Sequence, residues 1–512
     1  MPDNDNPVTT SNSPLTDSPL PDAAAPNNSK ITNEYTYQPD VEDTHNYTSV
    51  LGENIYEFMS NAFFGEGGFK DGSYLIPHSR ELFYDARRDG AFYKNFTQPI
   101  VNAMVNPIYA KYIKRSITRN GNPVEDGFAV RFLNDVDNNG TDMQGFMRDN
   151  AGLFATLHGI TFVVVDNHKK TTKTVPQALE NREFPYIYTY KASQLPERNN
   201  AGTLGWETDR FGNLQWITFY EGKKQIGKEK RKYYSYWDKD TFFTFWIDSN
   251  DSAVRIEIDR YDHNLGKIPV IPYFTGRRIA QRNMTPQPPL YDIAKINHTI
   301  FNKDSEIRDQ ERAQGFAVFY VSSSSPGSLN IGAHNVLYPP IESPFPPGFA
   351  SPDPAILDGL VKNAAALRDD LFRIAEQKGV TATKTAKSGI ALEWEFTAED
   401  IILANQSKRA EAIEYKIMEL FWLWTGETGY EYQADYPLSF RPRATSAELE
   451  NIDKALLMSM PPKAQRVLKR KVFESIIEDE ESPEIEAALL EFEQDMEPEV
   501  IEDDADDAAD ND

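Results

Sequence analysis

A chain of 512 residues with 40% apolar and 12% aromatic content is longer than one hydrophobic core usually serves, and it can bury several. It has no cysteine, which excludes disulfides, zinc fingers, iron–sulfur sites and thiol nucleophiles and suits a reducing compartment. The net charge is −26, but 18 acidic and no basic residues fall within 478–512, so the body is only mildly acidic: a poor surface for tight, static binding of nucleic acid, though not for one past which DNA slides.

Residues 1–45 are rich in Pro, Asp, Asn, Ser and Thr and lack the basic and apolar regions of a signal peptide, so they read as a disordered arm. No stretch approaches the roughly 20 apolar residues that a membrane span needs. Residues 53–69 read as a helix broken by a glycine cluster. A helix over 80–98 follows, with Leu82, Phe83, Ala86, Phe92 and Phe96 inward. Pro99 and Pro107 divide the next segment. A helix over 142–158 turns Phe146, Leu153, Phe154 and Leu157 inward, and 161–165 reads as a buried strand.

Between 184 and 274 the texture becomes that of strands. Runs at 216–220, 233–237, 241–247 and 254–258 are β-branched and aromatic and are separated by turn residues, which predicts an antiparallel meander. After Pro288 and Pro289 a helix over 290–314 would be nearly ~40 Å long. Its apolar stripe is narrow: Ile293, Ile296, Ile300 and Ile307. Its other faces carry Lys295, Lys303, Asp304, Glu306, Arg308, Asp309, Glu311 and Arg312. A strand at 316–321 opens a Ser-, Gly- and Pro-rich module reaching 352, with a second short strand near 335–338.

A helix over 355–378 has a seam at Ile356, Leu360, Ala364, Leu367, Leu371 and Ile374 and stops at Gly379. The loop 380–389 carries Thr381, Thr383, Lys384, Thr385, Lys387 and Ser388. A helix over 398–424 gathers Ile413, Ile417, Leu420, Phe421 and Trp424 on one face. Two helices at 445–459 and 462–476 close the pattern. The fold class is α+β, without internal repeats.

Motifs for chemistry are sparse. Asp135, Asp137, Asn139 and Gly140 match the first half of a calcium loop, but Phe146 stands where a bidentate carboxylate belongs; an Asx-rich turn capping the next helix is the plainer reading. The histidines are scattered, and no HExxH, Walker A, GxGxxG or GxSxG pattern occurs. No metal, cofactor or catalytic residue is therefore expected. Lys223, Lys224, Lys228, Lys230, Arg231 and Lys232 form a basic cluster between two strands, either a solvated hairpin tip or a nucleic-acid contact. Lys463, Arg466, Lys469, Arg470 and Lys471 form a second, just before the acidic segment; charge complementarity between this helix and that segment is the plainer reading and DNA contact the sharper one. That segment, with Ile485, Leu489, Leu490 and Phe492 among its charges, reads as a solubilising tail, a DNA-repelling surface or a ligand for a basic partner.

Four local patterns, in this order, resemble one known family. They are Tyr74-Leu75-Ile76-Pro77-His78 with Glu81, Tyr84, Arg87 and Asn95; Phe132-Leu133-Asn134-Asp135-Val136-Asp137 with Asp142, Gly159 and Thr161; His263-Asn264-Leu265-Gly266-Lys267-Ile268-Pro269-Val270; and Ser388-Gly389-Ile390-Ala391-Leu392. Together with the order of helices and strands over 47–476, they resemble the portal proteins of tailed bacteriophages. The resemblance implies an α/β wing at 46–287, a first stem helix at 288–314, a clip at 315–352 and a second stem helix at 353–378. A channel loop at 379–395, a long wing helix and return at 396–442, and a helical crown at 443–477 would follow, with 478–512 a mostly disordered acidic tail.

The resemblance further implies a homo-oligomeric ring, usually of about twelve subunits, at one vertex of a capsid. Such a ring is assembled in the host cytoplasm and resides in the virion. Its partners would be double-stranded DNA in the channel, the large terminase subunit, the major capsid protein, scaffold, and a connector or tail adaptor. The loop residues Thr381, Thr383, Lys384, Thr385, Lys387 and Ser388 would face DNA. Ile293, Ile296, Ile300, Ile307, Ile356, Leu360, Leu367 and Leu371 would pack stem helices between subunits, because a narrow stripe is not expected to bury itself in an isolated chain. Two other classes remain open: a metal-dependent enzyme acting on DNA, which needs converging carboxylates, and another virion protein such as an adaptor or tail subunit.

Overall fold

A computed structural model describes residues 49–440, apart from residues 80, 82, 168–173, 200, 227–228, 248–253, 279, 281, 316–317, 321–335, 338–347, 351–352 and 378–388. The expected N-terminal arm, most of the Ser- and Pro-rich module, the loop 380–388, the two helices after 440 and the acidic segment lie outside the described residues. The chain is α+β, and its larger sheets are antiparallel.

Asn54 opens the first helix, α1 (Ile55–Phe64), its Oδ1 accepting from the Tyr56 backbone N–H at 2.9 Å. The helix ends at Gly65 rather than continuing to 69, and a single turn, Gly68–Asp71, follows separately. The helix expected over 80–98 is also shorter. Only α2 (Tyr84–Asp89) forms; Gly90 ends it, and the chain runs irregularly to α3 (Thr97–Val105). Phe83 and Phe92, expected inward, are exposed. The reason is local: Asn95 Oδ1 accepts from the Gln98 N–H at 3.0 Å and so starts a new helix where the periodicity suggested an old one.

Strand β1 (Lys114–Arg119) comes next. Met143–Phe146, Met147–Gly152 and Leu153–His158 then run on as one helix, α4, whose middle turn is π-helical. Asp142 caps it through the Gly145 N–H at 2.8 Å. Gly159 ends it at φ +83°, where an added Cβ would lie 3.3 Å from the Gly276 Cα, so both conformation and space require glycine. The chain turns there directly into β2 (Ile160–Asp166), buried along its whole length. β2 is central in a three-stranded antiparallel sheet, between β3 (Tyr186–Lys191) and a strand from much later in the chain.

The meander is five-stranded: β4 (Trp206–Thr208), β5 (Leu214–Ile226), β6 (Glu229–Asp238), β7 (Thr241–Ile247) and β8 (Arg255–Asp262), paired in chain order. Alternation splits its faces. Ile217, Phe219 and Trp237 enter the main core. Tyr234, Phe243 and Phe245 make a small second cluster. The Arg255 guanidinium lies over Tyr236 (4.7 Å) and Phe245 (5.2 Å) and donates to the Thr203 carbonyl, which closes that second face. His263 and Asn264 then turn the chain on the Asp240 carbonyl, and β9 (Val270–Phe274) completes the β2 sheet, with Val270 opposite Val164.

Two long helices follow, α5 (Tyr291–Gly315) and α6 (Pro354–Gln377). Between them three short strands pair: Val318–Tyr320 lies parallel to Val336–Leu337 and antiparallel to Gly348–Ala350. Helix α7 (Gly389–Thr425) has 37 residues, about 55 Å at helical rise. It begins at Gly389, so residues 389–395, expected in a loop, are helical. Ala391, Leu392, Glu393 and Glu395 are good helix formers, and no proline interrupts them. Phe421 of α7 stacks on Phe132 at 4.6 Å, and the Trp424 indole donates to the Val165 carbonyl at 2.8 Å. The last described strand, β10 here (Tyr430–Asp435), returns to pair with β1, Lys114 opposite Asp435. Sequence reading had identified neither member of that pair.

Candidate subunit interface

The first sequence pattern is a clamp on the root of α5. Tyr84 donates to the Leu75 carbonyl at 2.8 Å, and Asn95 Nδ2 donates to the Phe63 carbonyl at 2.7 Å. Buried Arg87 holds Glu81 through Nε and Nη2, and reaches the Ser305 hydroxyl (2.7 Å) and the Ile76 carbonyl (2.9 Å) with its remaining donors. The hydrogen bonds from Arg87 hold the Glu81 carboxyl below its usual range. From the helix side, Asn302 Oδ1 accepts from the Ile76 N–H at 2.8 Å.

Asn297 is fully buried and hydrogen-bonded through both its amide oxygen and its amide nitrogen. Its Oδ1 accepts from the Phe96 and Thr97 N–H groups and from the Tyr93 and Thr97 hydroxyls, and its Nδ2 donates to the Lys94 carbonyl. A buried amide with such a set is costly to disturb, so α5 leaves the body at a fixed angle. His298, one residue on, is bonded to the Tyr74 carbonyl at 2.8 Å, and burial lowers its pKa. Tyr93 is pushed up by burial too.

Beyond the root, α5 and α6 run antiparallel. Arg368 Nη2 donates to Asp304 Oδ1 at 2.7 Å, and Lys94 Nζ lies 2.9 Å from Asp304 Oδ2. Other charges of α5 also pair within the chain: Lys303 with Glu306 at 2.8 Å, and Arg308 with the Gly90 carbonyl at 2.7 Å. The apolar stripe divides. Ile293, Ile300, Ile307 and Leu371 are buried within the chain, and Ile296 and Leu367 are half-buried. The expectation that the stripe stays open in an isolated chain is therefore corrected for most of its members. Its physical basis is that α5 lies against α1, α3 and α6, so its root is core rather than surface.

What remains uncovered is the first half of α6. Ile356 is 56% exposed and Val361 46%, Leu360 is half-buried, and the nearby Phe92 is 63% exposed. Phe92, Ile307, Val361 and Ala364 line an open groove of about 480 Å³ together with Lys94, Asp304, Arg308, Glu311 and Arg368. Exposed apolar side chains with charges of both signs beside them suit a protein contact.

The other candidates separate. Asp135 Oδ1 accepts from the Gly140 N–H (2.8 Å), and Asp137 accepts from the N–H groups of Asn139 (2.9 Å) and Thr141 (3.2 Å) and from the Thr141 hydroxyl (2.8 Å). Arg182 forms an ion pair with Asp135. These carboxylates are engaged in an Asx-rich turn. Among the described residues no three His, Asp or Glu side chains converge as metal ligands. Thr381, Thr383, Lys384, Thr385, Lys387 and Ser388 lie outside the described residues, as do Lys228 and the basic cluster at 463–471.

One site escaped sequence reading. Glu414 of α7 is fully buried, accepting from Arg115 Nε (2.6 Å) and Nη2 (3.2 Å) and from the hydroxyls of Tyr432 and Tyr436. Burial opposes the Arg115 charge, but Glu414 outweighs it and raises the guanidinium pKa. The pair ties α7 to the β1–β10 sheet. No family model matches the chain, and no curated protein matches it.

Proposed function

We propose that the chain is a portal subunit of a tailed bacteriophage. It assembles into a ring, of about twelve copies, at one capsid vertex, through which DNA is packaged and later ejected. The observation that carries this reading is the arrangement around residues 291–377: an antiparallel helix pair brackets a small three-stranded module, is rooted in an α/β body, and is followed by a long helix returning to that body. The resemblance of the four sequence patterns assigns the parts. The helix pair is the stem, the small module the clip, the body the wing, and the segment between α6 and α7 the channel loop.

In this reading the subunit performs no chemistry. Its stem is held rigid by Asn297, Arg87 and Asp304, so the ring keeps its shape while DNA and motor load it. The uncovered α6 face and the Phe92 groove meet a neighbouring copy. Thr381, Thr383, Thr385 and Ser388 offer short polar side chains to the channel, with only Lys384 and Lys387 per subunit to attract phosphate, so DNA is guided without being held. The partners follow from the resemblance: terminase during packaging, capsid protein and scaffold around the ring, and a connector or tail adaptor afterwards.

Mass photometry with negative-stain imaging tests the reading. Particles near twelve times 58.2 kDa with an axial hole wide enough for duplex DNA are expected. A stable monomer or dimer at every concentration and salt, combined with divalent-metal-dependent DNA cleavage, would shift the reading to the enzyme class.

A further inference from the structure

Strands β5 and β6 outrun their sheet. β4 pairs with β5 only as far as Ile217, and β7 pairs with β6 only as far as Tyr234, whereas β5 and β6 pair on to Ile226 opposite Glu229. Among the described residues, 222–226 and 229–233 therefore form a two-stranded ribbon beyond the sheet. Such a ribbon is marginally stable by itself.

Its sequence adds a second burden. Lys223 faces Lys232, Lys224 faces Arg231, and Gln225 faces Lys230. Like charges directly opposite destabilise a strand pair. Side chains alternate, so Lys223, Lys230 and Lys232 share one face, and all three are exposed. On the other face Lys224 lies over the Tyr233 ring at 5.3 Å and Arg231 over Trp246 at 5.6 Å. Glu221, at the ribbon's base, accepts a hydrogen bond from the Tyr190 hydroxyl. Lys223, Lys224, Lys230 and Lys232 thus stand together beside Arg231, on a body whose net charge is negative.

The chain carries the complement. Residues 478–512 hold 18 acidic and no basic side chains. From the last described residue, Phe440, the 37 residues 441–477 lead to it, a length of about 55 Å even at helical rise. A tethered polyanion acts at an effective concentration set by its linker, about millimolar where the linker is short and flexible. We infer that the acidic segment 478–512 docks on the basic ribbon of residues 222–226 and 229–233, relieves its like-charge repulsion and covers it against nucleic acid. The contact is electrostatic and exposed, so salt weakens it, with a Debye length of about 3 Å at 1 M.

Zero-length carbodiimide cross-linking of the full chain, mapped by mass spectrometry, tests this. At low salt the carboxylates of 478–512 are expected to couple to Lys223, Lys224, Lys230 and Lys232 in preference to Lys111, Lys114 and Lys239, which serve as exposed controls. Yield on the ribbon should fall about tenfold in 1 M salt, where screening is strong. In the full chain carrying Lys223→Glu, Lys230→Glu and Lys232→Glu, coupling to the remaining Lys224 should fall by a similar factor. Cross-links spread over the control lysines, or gathered on 463–471, overturn the inference. So does protection of the ribbon lysines by a DNA duplex added to the full chain in 0.15 M salt, which would make nucleic acid the occupant.

Discussion

Replacing Ile356 and Val361 by glutamate probes the proposed ring contact at its least covered point. Full burial of an aliphatic or aromatic side chain contributes about 1.5–3 kcal/mol. Ile356 and Val361 are each close to half exposed and Phe92 somewhat more, so covering all three would stabilise an interface by about 2.5–5 kcal/mol. The double substitution removes roughly 1.5–3 kcal/mol of that and adds the cost of desolvating two carboxylates. Since about 1.4 kcal/mol is tenfold in affinity, dissociation should begin at concentrations at least about tenfold higher than for the parent, and every contact in the ring is affected. Mass photometry over a dilution series reads this directly. Both positions are surface sites in the single chain, so the subunit's own unfolding should move by no more than about 0.5 kcal/mol. Val175→Glu, at an exposed valine that opens the short helix Val175–Glu180, supplies the control. A ring that survives the double substitution, or one that Val175→Glu weakens equally, refutes the assignment of this face.

Three further outcomes concern the body. Arg115→Ala leaves the Glu414 carboxylate buried without its cation and should destabilise the fold by about 3–5 kcal/mol in urea unfolding; Arg115→Met with Glu414→Leu should recover part of the loss. Burial, with Lys191 adding to it, lowers His158 to about 3, against about 6.5 when unfolded. The folded ring stays neutral while the unfolded one takes up a proton, so this stability is full above the unfolded value and is lost as pH falls through it towards about 3. The loss at pH 5 is about 2 kcal/mol, and His158→Gln should flatten that part of the pH profile measured by denaturant unfolding. Gly152→Ala sets a Cβ 2.6 Å from the Met147 carbonyl oxygen and 3.2 Å from the Tyr109 hydroxyl, a clash expected to cost about 1–3 kcal/mol; an unchanged denaturation midpoint would show that the π-turn can relax.

The two helices at 291–315 and 354–377 were legible because each is long, periodic and bounded by proline or glycine. The meander was legible because β-branched and aromatic runs alternate with turn residues. Reading failed where a local hydrogen bond overruled periodicity. Phe92 and Phe96 fall at helical spacing from Leu82 and Phe83, but the chain between Gly90 and Thr97 is set by Asn95 and by Asn297, about two hundred residues away. The pairing of β1 with β10 is of the same kind. Its buried residues, Ile117, Tyr432 and Ala434, are too few on each strand to announce it, and the charge that fixes it comes from Glu414 on a third element.

The proposed interface was half legible, for a reason that bears on how such a stripe should be read. Spacing of isoleucines along α5 shows that a face must be covered; it does not say by what. Here the coverage changes along the hairpin. Near the body, α1 and α3 supply it from the same chain, and Asn297, His298 and Ser305 add polar contacts that a mobile inter-subunit surface would not need. Away from the body, Ile356 and Val361 stay about half exposed. A helix pair that is core at one end and surface at the other suits a lever anchored in one copy and seated against the next. Substitutions at Asn297 should therefore impair folding of the subunit, whereas those at Ile356 should impair assembly alone.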